Sequence, residues 1–335
     1  MKALTVALAS QTPSVTVLVC TRDRGDSIVI TIRSILACAY PRFTLVIVDQ
    51  SSDLCTEQAI SAFCGDPRLR YIHTSARGKS HAENIGLAFT AADIVLLTDD
   101  DCEVPPNWIN AMVEPFLRYP RVGMVFCNVI AAPHDSYLGG IPVNINPRSL
   151  LITDLAHWQT SDGVNIGIGA GMAVRRATAE AISGFSPLFG PGSRFRSGDD
   201  TDFTLRALAA GYQIYRTNTA EVIHHGFRTY EEWRRLIRNN AFGLGGVNGQ
   251  LLRLGHWFAL RNYVAIFSTV VIKPALHEVI HLRPPHMLGR AIWLIRGMAE
   301  GLCLSPPRRQ GGVVDTKDGD HFLICSEKEY AAGSS

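Results

Sequence analysis

Residues 92–101 read Ala-Asp-Ile-Val-Leu-Leu-Thr-Asp-Asp-Asp. The apolar run Ile94–Thr98 is suited to a strand buried on both faces, and it delivers three consecutive carboxylates to its end. Adjacent carboxylates repel unless a cation or several donors neutralise them. A divalent ion with oxygen preference, Mg²⁺ or Mn²⁺, would do so while leaving sites open for phosphate. Alternation of side-chain direction puts Asp99 and Asp101 on a common face, with Asp100 pointing elsewhere.

Working outward, Val15–Cys20 (VTVLVC) and Phe43–Val48 (FTLVIV) are further buried strands, ending at Thr21-Arg22 and at Asp49. Helical spacing over Ser27–Ala39, a helix around Thr56–Phe63, a strand at Arg70–His73 and a helix over 80–91 lie between these strands and the Ile94 run. Strands and helices alternating at this rhythm predict βαβ units around a mainly parallel sheet. Polar residues gather at the carboxyl ends of the strands, where open α/β sheets place ligands. A helix over Asn107–Tyr119 and a strand over Val122–Ile130 follow. Residues 132–165 are rich in Pro, Asn and Gly and read as an irregular loop. A second acidic group, Asp199-Asp200-x-Asp202, opens a helix over Asp200–Ala210, where the helix dipole also favours acids. Short strands at Gln213–Arg216 and Glu221–Ile223 lead to His224 and His225.

The texture changes after residue 230, with a helix over Tyr230–Phe242 and apolar, helix-compatible stretches over Leu251–Ile280 and Met287–Leu304. The longest uncharged run there, Asn262–Ile272, has 11 residues, short of the ~20 that a membrane span requires. Two readings stay open: helices packed on the first domain, or an amphipathic membrane-surface contact through 251–304, with Trp257, Trp293 and flanking arginines at the interface.

The whole chain has 335 residues, 19% of them charged, and a formal net charge of +2. That balance argues against global disorder and against nucleic acid as partner. Eight cysteines without a CxxC pair or zinc-like spacing read as buried thiols in a reducing compartment. The apolar run at residues 3–9 is too short for a signal peptide, so the expected location is cytoplasmic, or peripheral on the inner face of the plasma membrane.

Six stretches in order resemble family 2 glycosyltransferases, which have the GT-A fold, invert the anomeric centre and use nucleotide-sugar donors. They are VTVLVCTRDR, LVIVDQSSD, GKSHAENIGL, LLTDDDCEVPPNW, GAGMAVRRATAEAISGF and SGDDTDFTLRALAAGY, spanning Val15 to about Gly246. The implied fold is α/β: a Rossmann-like, mixed and mainly parallel sheet flanked by helices, with a C-terminal helical region. The implied organisation is an N-terminal extension (1–13), a GT-A domain (14–245), an amphipathic helical region (246–305) and a polar, weakly ordered tail (306–335).

The resemblance also implies roles. Thr21, Arg22, Asp49, Lys79, Asn84, Asp99 and Asp100 would bind the nucleotide-sugar, Asp49 at the base and Asp99 at the ribose or metal. Asp101, with Asp99 and His224, would hold the divalent metal in an Asp-x-Asp motif. Asp200 would be the general base, and Asp199, Gly171 and Trp158 would face the acceptor, Trp158 with Phe185, Phe189 and Phe195 as a stacking surface. A UDP-sugar is the favoured donor, and the acceptor would be a carbohydrate, lipid-linked or other hydroxyl in polysaccharide or glycoconjugate synthesis. Departures are Gln50 for a second Asp, Glu83 for an Arg and Asp199 for a Glu. They leave a catalytically silent nucleotide-binding subunit as the competing reading. A nucleotidyltransferase on a similar sheet lacks a Gly-rich, Lys-bearing phosphate loop. A dinucleotide fold is excluded because TRDRGD, not GxGxxG, follows the first strand.

Overall fold

The computed structural model describes residues 12–160, 167–282, 288–304 and 322–323. Most of the expected N-terminal extension and of the polar tail lies outside the described residues.

β1 (Val15–Thr21), β2 (Phe43–Asp49), β3 (Leu69–His73) and β4 (Ile94–Asp99) are parallel neighbours in the order β3-β2-β1-β4. Helices α1 (Ile28–Leu36), α2 (Cys55–Ser61) and α3 (Lys79–Phe89) connect them. In β1, Val15, Val17 and Val19 enter one core layer and Leu18 the opposite one, as expected of a strand covered on both faces. Parallel pairing brings Thr21 level with Asp49, and Cys20 level with Asp99, so the strand-end polar residues share one edge.

Beyond β4 the sheet becomes mixed. After β5 (Cys102–Glu103) and helix α4 (Trp108–Arg118) comes β6 (Val122–Ala131). β7 (Gly139–Gly140), β8 (Leu150–Ile152) and helix α5 (Leu155–Thr160) follow, then β9 (Met172–Arg175), which runs antiparallel between β4 and β6. α6 (Arg176–Ala181) and α7 (Asp199–Ala209) precede β10 (Gln213–His224). β10 is one strand, not two short ones: a register shift between Arg216 and Glu221 absorbs the irregular stretch, and it runs parallel to β6. Its end pairs antiparallel with β5, His224 opposite Cys102.

The expected irregular loop at 132–165 is only partly so. β8 adds to β10 with Ile152 opposite Ile214, and Ile152 is fully buried. α5 carries the buried Trp158, and residues 161–166 lie outside the described residues. The cysteine expectation also needs correction. Cys38, Cys102 and Cys127 are buried free thiols, but Cys55 and Cys303 are exposed and Cys64 is disulfide-bonded.

β11 (Arg228–Thr229) leads into α8 (Tyr230–Arg253), which opens with a capping box between Thr229 and Glu232. This 24-residue helix runs through the expected domain boundary at 245/246. Two further helices pack on it, α9 (Phe258–Ile280) and α10 (Gly289–Leu302). α8 and α10 cross at backbone contact. A Cβ on Gly245 would lie 2.2 Å from the Leu294 carbonyl oxygen, and one on Gly297 2.1 Å from that of Phe242. Gly249 and Gly301, one turn further on, are equally tight at 2.4 and 2.5 Å. Small residues four apart on both helices permit this approach. Trp293 packs in this crossing, edge-on to Phe242 and near the guanidinium groups of Arg238 and Arg296.

Candidate active site

The carboxyl edge of the sheet opens into a cleft of about 520 Å³, a size that suits a small-molecule ligand. Thr21, Arg22, Lys79, Asp99, Asp100, Asp101, Trp158, Asp199, Asp200 and His224, ten of the residues singled out in the sequence, line it.

Asp101 is the electrostatic centre of one wall. It is buried, and neither carboxylate oxygen accepts a well-formed hydrogen bond. His224 Nε2 approaches Oδ1 at 3.1 Å and an Arg24 amino nitrogen approaches Oδ2 at 3.4 Å. Burial pushes the Asp101 carboxyl up, but His224, Arg24 and Arg228 outweigh it and hold the group below its ordinary value. His224 arrives through the β10–β5 pairing. Its Nδ1 donates to the Pro142 carbonyl at 3.0 Å, which aims Nε2 at Asp101. Burial opposes charge on this ring, yet the Asp101 carboxylate raises its pKa overall. His225 points elsewhere, toward Glu103.

Two observations show that Asp101 and His224 fit a divalent cation. The Asp101 oxygens are buried and under-satisfied, which a hard ion would correct. Gly226 also keeps the adjoining space open, since a Cβ there would sit 2.6 Å from His224 Nε2 and 2.8 Å from Asp101 Oδ2. Asp101, Cys102 and His224 place one potential ligand atom each within 4.8 Å of one another. Burial pushes the Cys102 thiol well up, so it suits an oxygen-preferring ion poorly. Asp99, expected as a second ligand, is instead bound by Lys79 Nζ at 2.6 Å.

Lys79 opens α3 and is the hub of a second group of cleft residues. Desolvation disfavours its charge, but Asp99, Glu83 and Asp199 together raise its pKa well above the ordinary lysine range. Glu83, one helical turn on and 4.0 Å from Lys79 Nζ, is pushed up to about 8 by burial, against the pull of Lys79. The acid at this position is thus shifted towards its protonated form beside the lysine.

Asp199 and Asp200 sit in the first turn of α7. Asp202 is spent on Arg206, which donates to it at 2.9 and 2.6 Å, so the cleft receives only the first two acids. Burial, and then the Asp199 charge, push Asp200 up to about 6 despite Lys79. Burial raises Asp199 as well. Asp100, beside Arg24 Nε at 3.3 Å, is lifted by burial to about 6.

Three expected site residues stand outside the cleft lining. Asp49 is fully buried and occupied: Oδ1 accepts from Ser51 N at 2.8 Å and Oδ2 from the Tyr71 hydroxyl at 2.8 Å. Gln50 lines the cleft in its place, its amide anchored on the Ala76 and Gly78 carbonyls. Asn84 spends both amide atoms on the backbone of Phe185, at 2.8 Å each. Gly171 provides close packing, since a Cβ there would lie 2.8 Å from Cys127 Sγ. Of the expected stacking surface only Trp158 lines the cleft. It is buried, and its Nε1 donates to Asn262 Oδ1 at 3.1 Å. Phe185, Phe189 and Phe195 are core residues. Sequence reasoning did not single out Arg24, Gly226 or Arg228, and only Arg24 had a visible signal, as a second basic residue after β1.

The structure is thus a mixed α/β sheet with an acidic, lysine-bridged cleft at its carboxyl edge. Residues 16–181 match the family model for glycosyl transferase family 2, and this segment is a domain of that family. It is 29% identical over 109 residues to a glucosyl-dolichyl phosphate glucuronosyltransferase from Haloferax volcanii, covering 32% of this chain and 35% of that one. It is 24% identical over 132 residues to a poly-beta-1,6-N-acetyl-D-glucosamine synthase from Staphylococcus epidermidis, covering 39% and 32%. The chain spans between 24% and 35% of the length of such relatives. A mannosyltransferase from Pyrobaculum calidifontis, solved in complex with GDP-Man and Mn²⁺, superposes with a TM-score of 0.59 at 19% identity, over 88% of each chain. At that identity the likeness is one of fold, and the fold is GT-A, with an added C-terminal helical region.

Proposed function

We propose that this protein is an inverting glycosyltransferase that moves a sugar from a nucleoside-diphosphate-sugar to an acceptor hydroxyl in polysaccharide or glycoconjugate synthesis. The observation that carries this reading is the convergence in one cleft of Asp101 with His224, Lys79 with Asp99, and the raised Asp199–Asp200 pair. Asp200, ionised above about pH 6, accepts the acceptor's proton as that oxygen bonds to the anomeric carbon. The bond from that carbon to phosphate oxygen breaks on the opposite face, and its electron pair leaves with the nucleoside diphosphate. Lys79 and Arg22 line the same cleft as cations for the phosphates. Asp101 and His224 would hold Mn²⁺ or Mg²⁺, which when bound supplies charge neutralisation for the leaving diphosphate.

A thermal-shift screen of UDP, GDP and dTDP, with and without Mn²⁺, tests the reading. A ligand that binds only the native state must raise the midpoint, and one diphosphate, with UDP favoured, is expected to do so in a Mn²⁺-dependent manner. No shift with any of them contradicts it, and a shift without glycosyl transfer favours the catalytically silent nucleotide-binding subunit.

The C-terminal helices support a peripheral membrane location on the cytoplasmic face. By length and composition α9, 23 residues long and containing an 18-residue stretch of mean hydropathy 1.4, could cross a membrane. One face of it, through Ala259, Asn262, Ile266, Val271 and Ala275, is nevertheless packed on protein. The other exposes Leu260, Val264, Ile272, Leu276 and Ile280, and Trp257 just before it is 76% exposed. Arg261 and Lys273 are also exposed on this helix. An apolar face flanked by basic residues suits attachment to an anionic surface rather than a span. In flotation with anionic phosphatidylglycerol vesicles, the protein is expected to float and Leu276→Glu/Ile280→Glu to remain in the soluble fraction. Equal behaviour of the two would contradict surface attachment.

A further inference from the structure

Arg24 is absent from the catalytic scheme above, yet its position is strongly determined. It stands between two residues in the left-handed region, Asp23 at φ 53° and Gly25 at φ 50°. A non-glycine residue there carries a conformational cost, and it persists only where its surroundings fix it. Here the β2–α2 turn does so. Asp23 N donates to Ser51 Oγ at 2.7 Å, Ser52 N donates to Asp23 Oδ1 at 3.1 Å, and Gly25 N donates to Thr56 Oγ1 at 3.4 Å. With its backbone clamped to the β2–α2 turn, the Arg24 side chain reaches the acidic loop at the end of the neighbouring strand β4. It meets Asp100 Oδ1 at 3.3 Å and Asp101 Oδ2 at 3.4 Å.

Asp101 Oδ2 is also the oxygen that faces the space left open by Gly226. A guanidinium and a divalent ion would therefore draw on one carboxylate atom. We propose that Arg24 is a built-in competitor for the cation site, which leaves the acidic loop for the phosphate oxygens when a nucleoside diphosphate enters. The proposal rests on the metal–nucleotide reading of the cleft.

The exchange follows from charge. Two cations at one carboxylate repel each other, so Arg24 weakens the hold of Asp101 on an ion arriving alone. A diphosphate brings oxygens for both, and a guanidinium matches phosphate geometry well. Arg24 lines the cleft and its side chain is 36% exposed, so it can turn to a ligand without unfolding the loop. Cation and nucleotide then bind cooperatively, and by linkage each tightens the other by the same factor.

The test measures Mn²⁺ binding by loss of its free electron paramagnetic resonance signal, alone and with saturating UDP or GDP. Arg24→Gln is expected to bind Mn²⁺ alone about tenfold more tightly than the parent protein, to bind the diphosphate more weakly, and to lose most of the cooperativity. Arg24→Lys, which keeps the charge, should stay close to the parent for Mn²⁺ alone. Arg24→Gln binding Mn²⁺ no more tightly, while retaining the parent's thermal midpoint, overturns the competitor role. Failure of the parent to bind Mn²⁺ even with either diphosphate overturns the reading of the cleft itself, and the proposal with it.

Discussion

Asp200→Asn is expected to lower the turnover of glycosyl transfer by about 10²–10⁴-fold, the usual worth of a positioned general base. Affinity for the nucleoside diphosphate with Mn²⁺ should be little changed, because the substitution keeps the shape of a side chain on the acceptor side of the proposed reaction. The parent protein provides a second signature. With Asp200 held at about 6 by burial and by Asp199, the base is ionised above that pH and protonated below it. kcat/KM should therefore rise with pH through about 6 and fall about tenfold per unit on the acid side. Steady-state rates across that range check both statements. Full activity of Asp200→Asn, or an unchanged acid limb in it, would remove Asp200 from the base role and point to Asp199.

The second large effect is expected at Asp101. Asp101→Asn preserves the volume but removes the charge that faces Arg24 and His224. Mn²⁺-dependent tightening of diphosphate binding should be lost, and transfer reduced by on the order of 10²-fold or more, since cation stabilisation of a leaving phosphate is worth several kcal/mol. Calorimetric titration of the diphosphate with and without Mn²⁺ distinguishes the cases. Tightening that survives intact in the variant would move the cation to other ligands. His224→Ala should show a weaker version of the same phenotype, because it leaves the Asp101 carboxylate in place.

The two variants also separate what was legible in the sequence from what was not. Asp99–Asp101 and Asp199–Asp200 are local signals, an apolar strand and a helix start each ending or opening on acids, and the structure places all five at one cleft. The parallel direction of β1, β2 and β4 follows from the same alternation of runs, but their order in the sheet does not. What a linear reading misses is competition for a side chain by partners far along the chain. Asp49 ends its strand as expected, but Tyr71, 22 residues on, takes its second oxygen. Asp99 looks like a cation ligand until α3 delivers Lys79 to it. Asp101 and His224 are joined by antiparallel pairing of β5 with β10, which no local pattern encodes.

The chain beyond residue 131 shows both outcomes. Residues 132–165 read as loop because Pro, Asn and Gly dominate them, yet Leu150–Ile152 is recruited to the sheet by an exposed edge of β10. The boundary placed at 245/246 reflects a change in composition, whereas α8 continues across it because Gly245 and Gly249 let α10 approach to backbone contact. That signal was present in the sequence as glycines four apart, at 245 and 249 and again at 297 and 301. Trp293 counts towards a membrane surface in only one of the two readings that the sequence leaves open, and its neighbours in space are those of the crossing.

A single displacement at the anomeric carbon, with Asp200 taking the proton, fixes the stereochemistry of the released sugar. An α-linked nucleotide-sugar that binds in the thermal-shift screen should be turned over slowly with water as acceptor. Proton NMR before mutarotation is predicted to show the β anomer as the first product, with its formation abolished in Asp200→Asn. First appearance of the α anomer would contradict the account.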